Sequence, residues 1–484
     1  MASKDTITIL LGVAALVGPA GPVFGQCRLA KLMDGDADTN DLFGKRAVLQ
    51  RDTLCVGVPG HNEVAPNSGV AYQYVRDGTE WTLSASLFPP DGGGNGSAFA
   101  RGIALDGDAL LCTSTSRARG YIFEWSAESD WVYTTEVMAS DYHPEDAFGE
   151  EADMEGGTIV ISAPWDNNPN GGDAGSVYVF DRDPNGAWEQ TQKLIASDGQ
   201  ANAEFGFAID LNGDVIAVGA WVQWVAGVPY VGKAYLFERD PDSGLWTEAA
   251  RLLPPDIHSL QDFGCAVTVD DDANVAIVGA LADRTAGTAT GAAFVYERDA
   301  GGTWSWAQTL RPPMAGNSQF FGCAVAVQGD QALIGAYGDD PQATNAGAAY
   351  LFIRESDGIW RQHAKFTASD GQSYDRFGES VAMDGSWAVI GAPYDDDSGT
   401  DAGSAYIFRV GPDWSGNGVP DLCECPGDID FSGSIDLADL SALLTRFGAS
   451  AGTSYEDGDL DGDTDVDLAD LSALLEGYGV VCPG

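Results

Sequence analysis

The chain predicts an all-β propeller of seven four-stranded blades, closed by its own N-terminal strand and followed by a small α-helical C-terminal domain. Three observations carry this expectation. A Phe-Gly pair recurs at Phe43, Phe99 (where Ala100 replaces the glycine), Phe148, Phe205, Phe263, Phe321 and Phe377, at intervals of 56, 49, 57, 58, 58 and 56 residues. A period of that length marks a repeat architecture. Each interval holds four short apolar-alternating runs parted by Gly, Asp, Asn and Pro turns, which is the strand-and-hairpin pattern, and four-stranded units repeated radially make a propeller. Beyond residue 425 the pattern changes to two acidic twelve-residue loops, each followed by a leucine-rich helical segment.

Taken in order, residues 1–25 read as a secretory leader: Lys4, an apolar core from Ile7 to Val17, then Val23-Phe24-Gly25 as a small-residue cleavage site. An uncleaved anchor is the alternative reading. The propeller occupies 26–410. Unit six shows its parts as Phe321 to Val327, Gln331 to Ala336, Gly347 to Phe352 and Trp360 to Phe366. Unit seven has three such runs and stops at Val410. Gln26 to Leu32 ends as fourth strands do, Lys31-Leu32 matching Lys193-Leu194. The N-terminal stretch is therefore expected to supply the missing outer strand, which removes a free sheet edge.

The 484 residues include 24 Lys+Arg against 73 Asp+Glu, a formal charge of −49. Such a surface repels nucleic acid and anionic membranes and attracts divalent cations and basic partners. No later apolar run is long enough to span a bilayer. Among eight cysteines, Cys55, Cys112, Cys265 and Cys323 fall on predicted inner strands and read as buried small apolar residues. Cys423, Cys425 and Cys482 flank the C-terminal domain, where an exported protein could bridge Cys425 to Cys482.

Phe377-Gly378 through Val389-Ile390-Gly391-Ala392-Pro393 resembles the FG-GAP repeat. The resemblance runs over about 26–410 and implies the seven-bladed head found in integrin α chains and bacterial surface proteins. Those repeats carry a calcium loop between the first two strands. Here the nearest match, Asp210-Leu211-Asn212-Gly213-Asp214, has Val215 and Val218 where a glycine and a carboxylate are needed. The other turns at this place read as tight hairpins without metal. Carboxylates gather instead in loops of one face: Asp166, Asp339, Asp340, Asp395, Asp396, Asp397 and Asp401 after second strands, and Asp34, Asp36, Asp38, Asp141, Asp146, Asp198, Asp370 and Asp375 after fourth strands. An acidic solvated rim and a site for a cationic or metal-bridged ligand both fit this pattern. The Trp opening most fourth strands (Trp81, Trp131, Trp188, Trp246, Trp304, Trp360) reads as packing between blades, because it recurs in nearly every unit.

The sharpest chemistry lies at the C-terminus. The loop Asp428, Asp430, Ser432, Ser434, Asp436, Asp439 returns as Asp459, Asp461, Asp463, Asp465, Asp467, Asp470. Oxygen ligands at positions 1, 3, 5, 9 and 12, with a backbone carbonyl at 7, match the EF-hand wrap around Ca2+. Ile435 and Val466 at position 8 can pack on one another. Each loop leads into the same helix start, Asp-Leu-Ala-Asp-Leu-Ser-Ala-Leu-Leu, whose leucines give one apolar face. This pair, at 425–484, resembles the type I dockerin domain, a resemblance that implies calcium-dependent attachment to a cohesin-like module. Leu437-Ala438 and Leu468-Ala469 replace the small polar recognition residues of that family, and Thr464 replaces a turn glycine. In the linker, 411–424, Asp413, Ser415, Asn417, Asp421 and Glu424 repeat the ligand spacing, so a third calcium loop and a plain tether both remain open.

Four scattered histidines and no nucleophile set point away from an enzyme. The expectation is a secreted or cell-surface, monomeric, non-enzymatic adhesion protein that binds a protein or glycan. A glycan-binding or polysaccharide-degrading component of a dockerin–cohesin assembly is the alternative.

Overall fold

The computed structural model describes residues 23–35, 39–77, 80–128, 130–314, 316–341, 343–413, 429, 435, 437–449, 460 and 466–478. These residues form seven antiparallel sheets of four strands each. Six are built from consecutive strands, as in blade 6 with Phe321–Gln328, Gln331–Ala336, Ala348–Arg354 and Trp360–Phe366. The seventh unites Ser380–Asp384, Trp387–Ala392 and Ser404–Asp413 with Val23–Leu32 from the opposite end of the chain. Leu32 faces Ala405 and Val23 faces Asp413. This strand carries a register shift between Arg28 and Ala30, the same one-residue bulge that interrupts the fourth strand of every other blade. It begins at Val23, upstream of the expected leader boundary. The reason is that its partner does not stop at Val410 but runs on to Asp413, offering backbone groups to residues 23–25. The rest of the expected leader lies outside the described residues.

The anchor phenylalanines join neighbouring blades. Their backbones pair with the strand-entry segment of the preceding blade: the N–H groups of Phe43, Phe205, Phe321 and Phe377 donate to the carbonyls of Ala402, Ala174, Thr290 and Ala346 at 2.8–3.0 Å. Each ring turns into its own blade against two aromatics of the third strand, as Phe377 does against Tyr406 at 5.2 Å and Phe408 at 6.0 Å. The approach needs a glycine just before that strand. At Gly347, with φ +91°, a Cβ would lie 2.0 Å from the Phe377 carbonyl oxygen. Residue Ala118 fills this position in blade 2, at φ 50°.

The turns between first and second strands make a second set of joints. The last residue of each first strand accepts a hydrogen bond from the turn backbone of the next blade. The bonds run from Gly107 to Gln50, Gly156 to Asp106, Gly213 to Glu155, Asp271 to Asn212, Gly329 to Asp270 and Gly385 to Gln328, at 2.6–2.9 Å. The seventh, from the Arg51 N–H to Asp384, crosses from blade 1 back to blade 7. These are the turns that hold calcium in integrin-like repeats. Here the side chain that ends each first strand accepts from a main-chain donor, while the turn carboxylates Asp108, Asp214, Asp272 and Asp330 face solvent.

Seven apolar clusters fill the propeller, one between each pair of neighbouring blades. The cluster between blades 7 and 1 contains Leu32, Phe43, Trp81 and Trp387. The fourth-strand tryptophans do pack between blades. Trp81 meets Trp387 edge-on at 5.7 Å, and Trp304 donates to Glu238 of the neighbouring blade at 2.9 Å. Cys55 and Cys112 lie on second strands and Cys265 on a first strand, all three buried as expected, whereas Cys323, also on a first strand, is only partly buried. Burial pushes the Cys323 thiol up to about 12. Cys423, Cys425 and Cys482, with the expected bridge, lie outside the described residues.

Two helices follow, α1 (Leu437–Arg446) and α2 (Leu468–Gly477). Ile429, Ile435, Leu443, Leu460, Val466 and Leu474 form one small core between them. The expected single leucine face is divided. Leu443 and Leu474 turn inward, while Leu437, Leu444, Leu468 and Leu475 are at least half exposed. The Arg409 guanidinium donates to the Leu460 carbonyl at 3.2 Å, joining this segment to blade 7.

Candidate functional site

The loops after second and fourth strands meet on one face, and there the carboxylates expected to form a rim fold back into the blades. A tyrosine at the third position of the third strand organises them. In blade 3, Tyr178 donates to Asp141 at 2.9 Å, and Lys193 bridges Asp141 and Asp166 at 2.6 and 2.9 Å. Burial would lower the Lys193 ammonium, but the two carboxylates reverse that and hold it above its ordinary value. In blade 4, Tyr235 and Lys233 share Asp198. In blade 6, Tyr350 and Lys365 share Asp339. In blade 7, Tyr406 donates to Asp370 and Asp395 at 3.0 and 2.8 Å, and Lys31 from the N-terminal strand reaches both carboxylates. Asp340 and Asp396 cap turns by accepting the N–H groups of Asn345 and Asp401. Asp146 and Asp375 accept those of His143 and Gln372 at 2.9 and 2.6 Å. Asp36 and Asp38 lie outside the described residues.

Beside exposed carboxylates such as Asp340, Asp396 and Asp397, the same face presents aromatic rings to solvent. Trp165, Trp224, Tyr230 and Tyr374 are 45–58% exposed, and Trp224 and Tyr230 meet edge-on at 6.4 Å. Counting carboxylates alone missed them. Their signal was available in the sequence, since large aromatics in turn-rich loops between strands lack a core to fill.

Blade 5 breaks the tyrosine network. Phe294 stands at the tyrosine position and Thr309 opposite it, where blade 3 has Lys193 and blade 6 has Lys365. A cavity of about 390 Å³ opens there, lined by Asp256, Asp283, Phe294, Trp306, Thr309 and Arg311 among others. A second cavity, of about 450 Å³, is bordered by residues that follow the Phe-Gly pairs: Lys45, Arg101, Glu150, Phe207, Cys265 and Cys323. Lys45 pairs with Glu379, Arg46 with Glu151, and Arg101 with Glu150.

Blade 1 differs again. His61 occupies the loop position that Asp166, Asp339 and Asp395 hold elsewhere, and Asp34 stands where other blades place alanine, proline or a similar small residue. The two meet in the interior together with Asp41, and all three are at least 95% buried. The His61 Nδ1 is 3.1 Å from Asp34 Oδ2 and 3.6 Å from Asp41 Oδ2. Burial would lower the imidazole, but Asp34 and Asp41 push it up to about 10. The pocket therefore favours a positive charge at its centre. The nitrogen and carboxylate oxygens of the three residues lie within 4.8 Å of one another.

Of the expected calcium ligands, Asp439, Asp467 and Asp470 are described. Asp428, Asp430, Ser432, Ser434, Asp436, Asp459, Asp461, Asp463 and Asp465 lie outside the described residues. Asp439 and Asp470 are fully buried and accept the N–H groups of Ile429 and Leu460, each at 2.7 Å. Asp467 caps α2 by accepting from Ala469 at 2.6 Å, while Asp470 returns the bond to the Asp467 N–H at 2.8 Å.

The model of the FG-GAP repeat matches residues 131–180, 188–237, 246–296, 304–352 and 360–408. A solved protein from Lactobacillus plantarum is similar at 13% identity and a TM-score of 0.42, over 67% of this chain and 84% of that one. No curated protein matches the chain. The five matched segments, which fall on blades 2 to 7 of a seven-bladed ring and span just over half of the sequence, show that the chain belongs to the FG-GAP repeat family.

Proposed function

We propose that this protein is a secreted or cell-surface, non-enzymatic interaction platform. Its looped face receives a protein partner, and its C-terminal pair of loops binds Ca2+ to form an attachment module. The observation that carries the reading is the composition of that face: most of its described carboxylates are bound to tyrosine, lysine or turn N–H groups, and beside them Trp165, Trp224, Tyr230 and Tyr374 present half-exposed aromatic rings. Exposed aromatics of this kind are the usual anchors of interfaces. The closing role of residues 23–32 belongs to the same reading. By donating Lys31 to Asp370 and Asp395, the N-terminal strand completes the face as well as the sheet.

Support for the attachment module is the two-fold likeness of its halves. Asp439 and Asp470 make the same buried bond 31 residues apart. The stripes Leu437, Leu444, Phe447 and Leu468, Leu475, Tyr478 are exposed in parallel. Carboxylates at the expected loop positions would hold the ions, which would offset their mutual repulsion and order the loops. Titrating the full-length protein with Ca2+ should show uptake that Asp439→Asn and Asp470→Asn reduce; no heat of binding would refute the module. Pull-down from a cell envelope, with and without Ca2+, tests the platform. The Trp165→Ala, Trp224→Ala double variant should lose the captured partner while keeping its circular dichroism. A glycan ligand is the second reading, favoured by the half-exposed indoles of Trp165 and Trp224, and glycan-array binding abolished by the same variant would establish it.

A further inference from the structure

We propose that Asp34, Asp41 and His61 form a site for one divalent transition-metal ion of the Zn2+ or Mn2+ class, independent of the C-terminal loops. The distances suit ligands gathered round an ion. Metal–nitrogen and metal–oxygen bonds of about 2.0–2.2 Å place neighbouring ligand atoms about 3.0–3.5 Å apart, and Nδ1 of His61 is 3.1 and 3.6 Å from the two carboxylates. His61 is 2% exposed, yet neither ring nitrogen directs an N–H at an acceptor. Two carboxylates and a neutral imidazole would balance a divalent charge.

The surroundings hold the ligands in place. Tyr72 donates to Oδ1 of Asp34 at 2.9 Å and Asn62 to Oδ1 of Asp41 at 3.4 Å, so that in each residue Oδ2 is the oxygen turned toward His61. The far nitrogen, Nε2, lies 3.7 Å from Oε2 of Glu63. A carboxylate behind the second nitrogen is the usual outer partner of a metal-bound histidine. The imidazole discriminates against Ca2+ and Mg2+, which take all-oxygen sets. Among the described residues the site is peculiar to blade 1, and it draws Asp34 from the segment after the N-terminal strand, Asp41 from the approach to the blade's first strand and His61 from the loop after its second. An ion there would fasten the two segments together.

The test uses full-length protein stripped with chelator and then held in saturating Ca2+, so that the C-terminal loops do not compete. Zn2+ and Mn2+ are titrated separately. The parent should bind one more equivalent than His61→Gln or Asp41→Asn, whose affinity at this site falls at least tenfold, and only the parent should gain melting temperature from the metal. If the variants do not fold, X-ray absorption of the Zn2+-loaded parent decides. One imidazole with oxygen neighbours at about 2.0–2.2 Å supports the site. Equal metal content in parent and folded variants, or a spectrum with no imidazole or with several, overturns it.

Discussion

Replacing Gly347 by alanine isolates the contact that joins blade 6 to blade 7. The new Cβ would sit 2.0, 2.6 and 2.8 Å from the carbonyl oxygen, nitrogen and carbonyl carbon of Phe377. All three are backbone atoms, so no side chain can swing away, and the strand entry must move by more than an ångström. That shift breaks the 2.9 Å bond from the Phe377 N–H to the Ala346 carbonyl. The φ of +91° adds the cost of a left-handed residue, about 1–2 kcal/mol. Crowding in a packed interior costs about 1–3 kcal/mol more. The expected loss is thus roughly 2–5 kcal/mol, a large part of the 5–15 kcal/mol that holds an ordinary domain together. Gly358→Ala is the control, because that glycine has a similar φ of +79° with nothing within 4 Å of its Cβ. Urea denaturation followed by tryptophan fluorescence should place Gly347→Ala well below Gly358→Ala. Equal midpoints would show that the close approach contributes nothing, and the account of the Phe-Gly joint would fail.

Three further outcomes are expected. Asp384→Ala removes the acceptor that joins blade 7 to Arg51 of blade 1, and should lower stability by about 1–2 kcal/mol, as much as Asp106→Ala does at the joint of blades 2 and 3; a smaller loss at Asp384 would mean that the ring is not held at the crossing between chain ends. Burial, reinforced by Asp395 and Asp396, pushes Asp375 up to about 6, so the fold prefers its neutral form. That preference stabilises the protein below about pH 4, is lost as pH rises to about 6, and becomes a net penalty above; Asp375→Asn should therefore match the parent near pH 4 and exceed it at pH 8 in urea midpoints. Phe294→Tyr restores to blade 5 the hydroxyl its siblings carry, beside Asp283 and within the 390 Å³ cavity, and should raise the melting temperature, with a gain of about 0.5–1.5 kcal/mol; a drop would show that the cavity is closed to a hydroxyl.

The blades were readable from the chain because their signal is redundant: seven phenylalanines, each meeting two aromatics at fixed offsets, repeat the same message. The fourth strand of blade 6 falls at Trp360–Phe366, as its tryptophan and final apolar residue required. First and third strands ran longer or shorter than expected, since their ends depend on backbone partners in other segments, such as those that carry Ser404–Asp413 past Val410. The face was harder to read. A carboxylate looks alike in sequence whether it meets solvent or a tyrosine hydroxyl, and the partners of Asp395 include Lys31, more than 360 residues away along the chain. The pocket around His61 was invisible for the same reason. A lone histidine gains meaning only when folding brings Asp34 and Asp41 to it.

The pairing of Val23 with Asp413 has a consequence for how the molecule is mounted. Whatever precedes residue 23 and whatever follows residue 413 depart side by side from the circumference of the disc, on its outermost pair of strands. A tether attached at either exit would thus take hold of the disc at its edge, as a coin is held between finger and thumb. Pulling on the chain after residue 413 would load Ser404–Asp413 against both of its neighbours, Val23–Leu32 and Trp387–Ala392, while the six remaining blades bore the force only through blade 7.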